Sequence, residues 1–288
     1  MVAYHRPRSL AEALAIRAKA DVAILAGGTD IYPARTARRA WGDPSHKDVL
    51  DISGIAELRG IGEDDGYWRF GCLTTWTDLI RAGLPPQFDA YRQAARAVGG
   101  VQVQNSGTLV GNVVTASPAG DGLPNLLTLD AEVELQAERG SRRVPLASFV
   151  DGYRHTQLGA DEIVTALIVP KRRHAVSRFA KLGARKYLVI SIAMVAVVLD
   201  LDTMDQVTEA RIAVGACSAV ARRLETLEAD LAGAPIRDVA RVVAPRHGDI
   251  LEPIDDIRAS GTYRRAAALT LVRDCLSGLA ADHARRAA

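Results

Sequence analysis

Glycines and small polar residues are concentrated at residues 105–131, the part of this 288-residue chain best suited to chemistry. The segment reads NSGTLVGNVVTASPAGDGLPNLLTLDA. Glycine lets a bare backbone approach a ligand and present its N–H groups, which suits a phosphate-bearing cofactor. The alternative is a long irregular loop between two core segments. Because loops this long are usually functional or disordered, and valines and leucines argue against disorder, we predict an ordered binding loop.

A second glycine-rich turn follows residues 22–26, an apolar segment typical of a buried strand. The turn reads GGTD at 27–30 and leads into a helix-capable stretch that begins at Ile31 and that Pro33 should break early. Backbone N–H groups at such a turn can bind a pyrophosphate. A plain tight turn also explains two adjacent glycines. The G-x-G-x-x-G spacing of a Rossmann fingerprint is absent, which disfavours that dinucleotide-binding fold.

The cysteines and histidines predict no metal site and no disulfide framework. Cys72, Cys217 and Cys275 lie far apart without a C-x-x-C companion, and the six histidines are scattered. This usage fits a reducing compartment, and we expect a cytoplasmic protein. Lys and Arg number 36 against 34 Asp and Glu, so the basic excess of a nucleic-acid-binding protein is missing. Neither a signal peptide nor a membrane span of about 18 apolar residues is predicted.

Apolar periodicity sets the two glycine-rich segments among helices and strands. Ser9 with Glu12, and Thr75 with Asp78, have the spacing of helix-capping boxes. The other elements predicted before residue 172 are a helix at 89–98 and strands at 49–52, 67–71, 131–136, 143–150 and 162–169. The strand at 49–52 pairs parallel to the one at 22–26 if the intervening helix crosses over.

The chain changes character after the basic run KRRH at 171–174, which is either a partner-binding patch or a solvated linker. Two long apolar segments, 189–201 and 207–216, are joined by a predicted hairpin turn at 202–206. Helices are predicted at 222–231 and 236–243, and a long one at about 263–283. We therefore expect a separate domain after residue 172.

Five short motifs follow one another along nearly the whole chain: LAGGTD at 25–30, GTLVGNVVTASPAGD at 107–121, LLTLDAEVEL at 126–135, RFAKLGARK at 178–186 and YRR at 263–265. Each motif is weak alone, but five in one order with sensible spacing are specific. Together they resemble the FAD-binding medium subunit of the molybdenum hydroxylases, the xanthine dehydrogenase and carbon monoxide dehydrogenase family.

The resemblance implies an α+β fold of the flavin-binding (PCMH) type shared with vanillyl-alcohol oxidase. An FAD-binding domain would cover residues 1–172, with subdomains at about 1–55 and 56–172. A C-terminal domain of short antiparallel sheet and helices would cover 173–288. FAD would lie between the two subdomains, with its pyrophosphate between the glycines at 27–28 and the turn at 108–112. This placement agrees with the two donor loops inferred from the residues themselves.

The resemblance also implies which residues contact FAD, chiefly through backbone in the two glycine-rich segments. Those of the two segments are Leu25, Ala26, Gly27, Gly28, Thr29, Asp30, Ile31, Thr108, Gly111, Asn112, Ser117 and Asp121. Asp121 would accept hydrogen bonds from FAD hydroxyls; its alternative role is that of a turn or capping residue. Val164 would contact the isoalloxazine edge, or else be a core strand residue. Lys181 would stabilise the anionic reduced flavin by its charge, or else be a surface lysine at a strand end.

Two positions depart from the family pattern. Val110 stands where the family has the first of two glycines, and a positive φ there would strain a valine and weaken FAD binding. Thr29-Asp30 stands where members associated with carbon monoxide oxidation typically have His-Ser. The second departure favours a hydroxylase of purines, other N-heterocycles or aldehydes.

By this resemblance the chain is the FAD subunit of an oxidoreductase, a heterotrimeric molybdenum hydroxylase. A small partner subunit would hold two [2Fe-2S] clusters and a large one the molybdopterin, in a dimer of heterotrimers. Electrons would pass through the clusters to FAD and on to NAD, oxygen, a quinone or another carrier, and no catalytic acid, base or nucleophile is expected here. The alternatives are a stand-alone flavin oxidase or dehydrogenase of the same fold and a flavin-free scaffold subunit.

Overall fold

A small parallel sheet opens the structure. The computed structural model describes residues 3–43 and 45–287. The first elements are β1 (Tyr4–His5), α1 (Leu10–Lys19), β2 (Val22–Leu25), α2 (Ile31–Ala40) and β3 (Asp48–Asp51). The strands form a parallel sheet in the order β1-β3-β2, with Val22 opposite Asp48. The predicted parallel pairing of the second and third strands is therefore confirmed.

Of the two helices that connect these strands, one begins where it was predicted to begin and the other differs from its prediction. α1 begins at the predicted cap, where Ser9 Oγ accepts a hydrogen bond from the Glu12 N–H at 3.2 Å. α2 is not broken by Pro33, and that prediction is wrong. Pro33 is the third residue of the helix, where the N–H has no intrahelical acceptor, so proline removes no hydrogen bond. α2 runs on to Ala40 and buries none of its side chains.

A larger antiparallel sheet follows, in the order β4-β5-β10-β6-β7. Its strands are β4 (Ile61–Glu63), β5 (Tyr67–Gly71), β6 (Glu132–Ala137), β7 (Gly140–Pro145) and β10 (Ile163–Pro170). The predicted return strand at 143–150 is wrong, because it divides into the end of β7, a one-turn helix α8 (Leu146–Phe149) and β8 (Val150–Gly152), which pairs with β9 (His155–Thr156). Leu146 and Phe149 are buried, so helical geometry turns both toward the core.

Five helices connect β5 to β6. They are α3 (Trp76–Arg81), α4 (Asp89–Ala97), α5 (Val101–Ser106), α6 (Leu109–Thr115) and α7 (Gly122–Thr128). The predicted capping box of α3 is present, with Thr75 and Asp78 bonded reciprocally. Residues 105–131 are ordered as predicted, but they are mostly helical rather than an irregular loop. Leu109, Val113, Leu123 and Leu126 are all buried, and a helix presents such a set to one core while it pairs its own backbone.

A four-stranded antiparallel sheet and three helices complete the chain. The elements are β11 (Ala175–Leu182), β12 (Ala193–Leu201), β13 (Val207–Gly215), β14 (Arg222–Arg223), α9 (Glu225–Leu231), α10 (Val239–Val242) and α11 (Gly261–Ala287). The hairpin turn at 202–206 is confirmed. The apolar run at 189–201 becomes a strand only from Ala193, and the helices predicted at 222–231 and 236–243 are shorter. β11 has no counterpart among the predicted elements.

The third sheet is covered on both faces. On one face Met194 and Ala196 pack with Ala90 and Ala94 of α4. On the other face alternate residues of β12, such as Val195, pack with α9, α10 and α11. β12 is therefore apolar at nearly every position instead of alternating, which is typical of a strand between two layers.

A partly buried charge cluster joins the third sheet to the rest of the fold. Asp130, just after α7, accepts from Arg172 at 2.5 Å, from Arg211 of β13 at 2.6 Å and from Arg223 of β14 at 3.0 Å. Arg211 is 1% exposed and also binds Asp200 at 2.9 Å. Arg172 belongs to the basic run at 171–174, so one member of that run has a structural partner on both sides of the predicted linker.

The helices of residues 3–43 and 45–287 include none with the length and apolar character needed to cross a bilayer. In the same residues, no three His, Cys, Asp or Glu side chains are grouped as metal ligands.

Candidate cofactor-binding site

A cavity of 830 Å³ opens between the first sheet, α2, α6 and β10. Its wall includes residues of both glycine-rich segments, together with Val164 of β10 and residues of the β8–β9 hairpin. Ligand-binding cavities commonly measure roughly 300–1,000 Å³, so this one has the size for a large cofactor.

The two glycine-rich segments touch each other at Gly27. A Cβ atom added there would lie 1.9 Å from the carbonyl oxygen of Ser106, so no larger residue fits without displacing backbone. Gly28 has φ of +72°, a left-handed conformation that glycine adopts without strain. A Cβ atom added at Gly107 would likewise lie 2.8 Å from the Val103 carbonyl oxygen. Glycine is therefore required where the segments meet.

The turn at 27–30 carries backbone donors that have no partner within the described residues. None of the N–H groups of Gly27, Gly28, Thr29 and Asp30 forms a hydrogen bond in the part of the chain that the structure describes. All four residues line the cavity, and the ten-residue helix α2 follows them directly. Consecutive free N–H groups before a helix bind anionic groups such as phosphates.

The opposite wall begins at Thr108, the N-cap of α6. Its Oγ1 accepts from the Gly111 N–H at 3.0 Å, and its backbone pairs with Thr75 ahead of α3. Val110 has helical backbone inside α6 and is absent from the residues with positive φ. The sequence-based expectation of a strained valine is therefore wrong. The helix, which the sequence analysis did not predict, places Val110 in the core at 6% exposure.

Asn112 and Trp76 hold α6 against its neighbours. Asn112 Oδ1 accepts from the Gly122 N–H at 3.0 Å, which joins α6 to the start of α7. Trp76, 2% exposed, donates its backbone N–H to the Gly107 carbonyl at 3.2 Å and lines the cavity. Its ring meets Tyr91 edge to face with centroids 5.8 Å apart. This wall is thus fixed by packing and hydrogen bonds within the protein.

Comparison with known proteins agrees with this geometry. The model of the FAD-binding domain in molybdopterin dehydrogenase matches residues 1–172, and that of the CO dehydrogenase flavoprotein C-terminal domain matches 178–279. The nicotinate dehydrogenase FAD-subunit of Eubacterium barkeri is 34% identical over 249 residues, covering 84% of this chain and 83% of that one. The chain belongs to the FAD-binding subunits of the molybdopterin dehydrogenases. The resemblance inferred from the five motifs is confirmed.

Other relatives extend over almost the whole FAD-binding subunit. The putative xanthine dehydrogenase FAD-binding subunit of Escherichia coli K12 is 30% identical and covers 95% of this chain and 94% of its own. The solved carbon monoxide dehydrogenase of Hydrogenophaga pseudoflava superposes with a TM-score of 0.84 at 28% identity, covering 96% of both chains. The predicted mixed helix-and-sheet fold and the assignment to an oxidoreductase subunit are confirmed, and FAD is the cofactor of this chain's family.

The residues of this FAD-binding subunit fit FAD chemically. The free N–H groups at 27–30 are donors for a diphosphate, and Gly27 leaves the backbone bare where a ligand must approach closely. Apolar side chains cover much of the remaining wall, as a flavin or adenine ring requires. They include Ile24, Ile52, Val98, Val103, Val114 and Leu158.

Ten of the predicted FAD contacts lie on the cavity wall, all but Val164 in the glycine-rich segments. They are Ala26, Gly27, Gly28, Thr29, Asp30, Ile31, Thr108, Gly111, Asn112 and Val164. Leu25 lies behind Gly28 in the core, and Ser117 accepts from the Ala119 N–H in the turn before α7. Neither of these two lines the cavity. Contact of any of these residues with FAD stays a prediction.

Asp121 and Lys181 form a buried ion pair outside the cavity wall. Lys181 Nζ donates to Asp121 Oδ2 at 2.6 Å, and Ser191 Oγ donates to Asp121 Oδ1 at 2.9 Å. Burial raises the pKa of the Asp121 carboxyl, while the Lys181 ammonium and the Ser191 hydroxyl oppose that rise. The pair links the start of α7 to β11. Neither side chain lines the cavity. Their roles toward FAD stay predictions.

Sequence reasoning missed several wall residues. Trp76 follows the cap Thr75, but a capped helix start gave no sign that its first residue would face a ligand. Arg154 lies in the turn of the β8–β9 hairpin and Leu158 follows β9, in residues 151–161, to which the sequence analysis assigned no element. Their only sequence signal is the isolated cation and leucine in GYRHTQL.

Proposed function

We propose that this FAD-binding subunit transfers electrons between a small iron–sulfur partner subunit and an external acceptor. The observation that carries the proposal is the cavity with free N–H donors and no catalytic set of side chains: Asp30 and Arg154 are the only charged residues among the described residues of its wall. Bound FAD supplies the redox chemistry by storing two electrons. The residues of the chain bind it, orient it and set its environment.

FAD placement in the cavity follows from the donors. The diphosphate lies against the N–H groups at 27–30, between that turn and the backbone at 108–112. The flavin extends toward Val164, whose side chain is 4% exposed at the cavity wall. Four of the predicted contacts do not line the cavity and act from behind the residues that do: Leu25, Ser117, Asp121 and Lys181.

The fold and domain organisation are proposed to follow the vanillyl-alcohol oxidase (PCMH) type. The first sheet would belong to a subdomain at about 1–55 and the second to one at 56–172, with a C-terminal domain at 173–288. In support, one apolar cluster spans the first two sheets and a second fills the layer between the third sheet and α9–α11.

The proposed partners are a small subunit with two [2Fe-2S] clusters and a large subunit with molybdopterin, assembled as a dimer of heterotrimers. Another similar solved structure is named a Cu,Mo carbon monoxide dehydrogenase, and the one from Hydrogenophaga pseudoflava was solved in a form that lacks the Mo-pyranopterin moiety of the molybdenum cofactor. The three cysteines of this chain are buried and unpaired, which leaves no cluster-binding set among them. Electrons would pass from the partner clusters to the flavin, and then from the flavin to NAD, oxygen, a quinone or another carrier.

The placement of FAD is tested by Gly27→Ala in the full chain. The added methyl group must displace the Ser106 backbone, so we expect FAD affinity to fall at least about 100-fold, or about 2.7 kcal/mol. Gly66→Ala is the matched control, because nothing lies within 4 Å of a Cβ there. Affinity is measured by quenching of flavin fluorescence. Equal affinity in Gly27→Ala and the wild type would contradict the placement.

The electron-transfer role is tested on the complex that co-purifies with the chain from its host. We expect iron, molybdenum and flavin in the same complex, and flavin bleaching only when the partner chains are present. Substrate turnover by the isolated flavin-loaded chain would instead establish a stand-alone oxidase. A flavin-free chain with intact partners would establish a scaffold subunit.

A further inference from the structure

Arg154 occupies an unusual position at the edge of the cavity. It lies in the turn between β8 and β9 and has φ of +51°, the left-handed region that arginine rarely adopts. Its N–H donates to the Ala116 carbonyl at 3.1 Å, and Ala116 itself has φ of +46°. Such conformations cost about 1 kcal/mol or more and persist where the surroundings fix them, often at functional sites. The turn is thus held in one place beside α6.

The guanidinium of Arg154 has no protein partner within the described residues, whether hydrogen bond, ion pair or aromatic ring. This separates it from Arg172, Arg211 and Arg223, each of which binds carboxylates in the cluster around Asp130. Among the wall residues that the structure describes, it is also the one cation. The charge of Lys181 is balanced by Asp121, so that pair adds no net charge, whereas Arg154 adds a full one to the cavity wall.

The anchor at Ala116 sets where Arg154 lies along the cavity. α6 rises about 1.5 Å per residue, so Ala116, eight residues on, is roughly 12 Å from Thr108 along the helix axis. Thr108 neighbours the segment contact at Gly27, where the free N–H groups begin. The chain leaves Arg154 toward Leu158, Ile163 and Val164, which all line the cavity. The backbone of Arg154 is therefore fixed at the end of α6 away from the proposed diphosphate site.

We propose that Arg154 binds the flavin half of FAD and stabilises its reduced form. The inference rests on the proposed position of FAD in the cavity. Bound FAD would be neutral in its oxidised ring and, after uptake of two electrons from the partner clusters and one proton from solvent, anionic in its reduced ring. A guanidinium is always charged and carries several N–H donors, so it interacts more strongly with the anion than with the neutral ring. The residue therefore raises the flavin potential.

The test measures the flavin midpoint potential of the flavin-loaded full chain for the wild type, Arg154→Gln and Arg154→Lys. In Arg154→Gln we expect the affinity for reduced flavin, relative to oxidised flavin, to fall about tenfold. That equals a shift of about 30 mV to more negative potential for a two-electron couple. Arg154→Lys keeps the charge and should retain most of the wild-type potential. Arg237→Gln, which removes an exposed arginine paired with Asp238, should retain it fully.

Two results would overturn the inference. One is an Arg154→Gln protein that holds FAD and has the wild-type potential. The other is an equal loss of affinity for FAD and for ADP in Arg154→Gln, with an unchanged unfolding midpoint of the apoprotein, since this would place the guanidinium on the diphosphate. Neither result alters the expectation for Gly27→Ala, so failure here is distinct from failure of the FAD placement.

Discussion

α2 and α6 enclose the same cavity but are supported differently. α6 sends Leu109, Val110 and Val113 into the core and is tied to its neighbours through Thr108 and Asn112. α2 is three residues longer, yet it buries no side chain, and its inward residues face the cavity. One wall is thus complete in the protein alone, whereas the other has the cavity as its main packing surface.

This difference assigns the two helices different relations to FAD. Isolated helices of about ten residues are marginal in water, and tertiary contacts normally supply their stability. α6 has those contacts already, so its position is fixed before the cofactor binds. We expect α2 to gain them only when FAD fills the space beneath Ile31, Ala34 and Ala37. The following predictions test this contrast, beginning with the supports of the fixed wall.

Lys181→Met should cause the largest loss, because it leaves the Asp121 carboxyl buried beside the fixed wall without its cation. Removing one partner of a buried pair costs about 3–5 kcal/mol of unfolding free energy near neutral pH. Lys47→Met is the control, since its pair with Asp21 is mostly exposed and such pairs contribute about 1 kcal/mol or less. Equal losses in urea unfolding of the two variants would contradict the structural role of Lys181.

The same variant has a defined pH dependence. The folded pKa of Asp121 is raised above its unfolded value, so its contribution to stability is greatest below pH 4 and falls as pH rises through the folded pKa. Loss of Lys181 removes an effect that lowers that pKa. The stability difference between Lys181→Met and the wild type should therefore be small near pH 4 and grow toward neutral pH. A pH-independent difference would indicate that Asp121 does not titrate in this way.

Val110→Gly should destabilise the protein by about 3 kcal/mol, because it removes buried methyl groups and places glycine within α6. Ala34→Gly makes the matching backbone change in α2, where the global unfolding free energy should change by less than about 1 kcal/mol. Denaturant unfolding of the two apoproteins measures both values. A gain in FAD affinity for Val110→Gly would indicate that the valine is strained, contrary to its helical backbone.

Hydrogen exchange should distinguish the helices directly. We expect the amides of α2 to exchange fast in the apoprotein and to become at least about tenfold more protected with FAD, which corresponds to about 1.4 kcal/mol. The amides of α6 should change little, since that helix is packed without the cofactor. Equal protection gained by both helices would contradict the contrast between the walls.

Thr108→Ala should have the smallest effect. The variant removes the N-cap hydrogen bond to Gly111 and should cost about 1 kcal/mol of unfolding free energy. The control is Thr208→Ala, which removes an exposed hydroxyl bonded to the Asp200 carbonyl in a strand. Thermal unfolding should show a lower midpoint for Thr108→Ala than for the control.

Local signals in the sequence were sufficient for several elements and for the donor loops. The capping patterns at Ser9 and Thr75 depend on neighbours a few residues away. Thr75 forms the full predicted box, whereas Ser9 caps its helix but Glu12 accepts from the Arg8 N–H instead of completing a box. The glycines at 27–28 were predicted to form a tight donor turn, and they line the cavity. The order of the five motifs predicted the family. Each cap, turn and motif depends on residues close together in the sequence, so each can be predicted from the sequence alone.

The missed features depend on contacts between distant parts of the chain. The glycine-rich segment at 105–131 is helical because its valines and leucines meet several core elements. The strain expected at Val110 came from comparison with a family pattern. In this chain the backbone at Val110 is that of an ordinary helical turn. Arg154 reaches the cavity only because its turn is anchored 38 positions back along the sequence, at Ala116. No local pattern contains that information.

The cluster around Asp130 has a consequence for exchanging parts of the chain. Family models divide the sequence into two segments, yet this carboxylate lies in the first and receives Arg211 and Arg223 from the second. A chimera whose first segment lacks an acid at this position would leave Arg211 with only the acids Asp200 and Glu209 among the described residues, and Arg223 with only Glu228. The two segments are therefore matched in charge where they meet, and an exchange of either one must preserve that match.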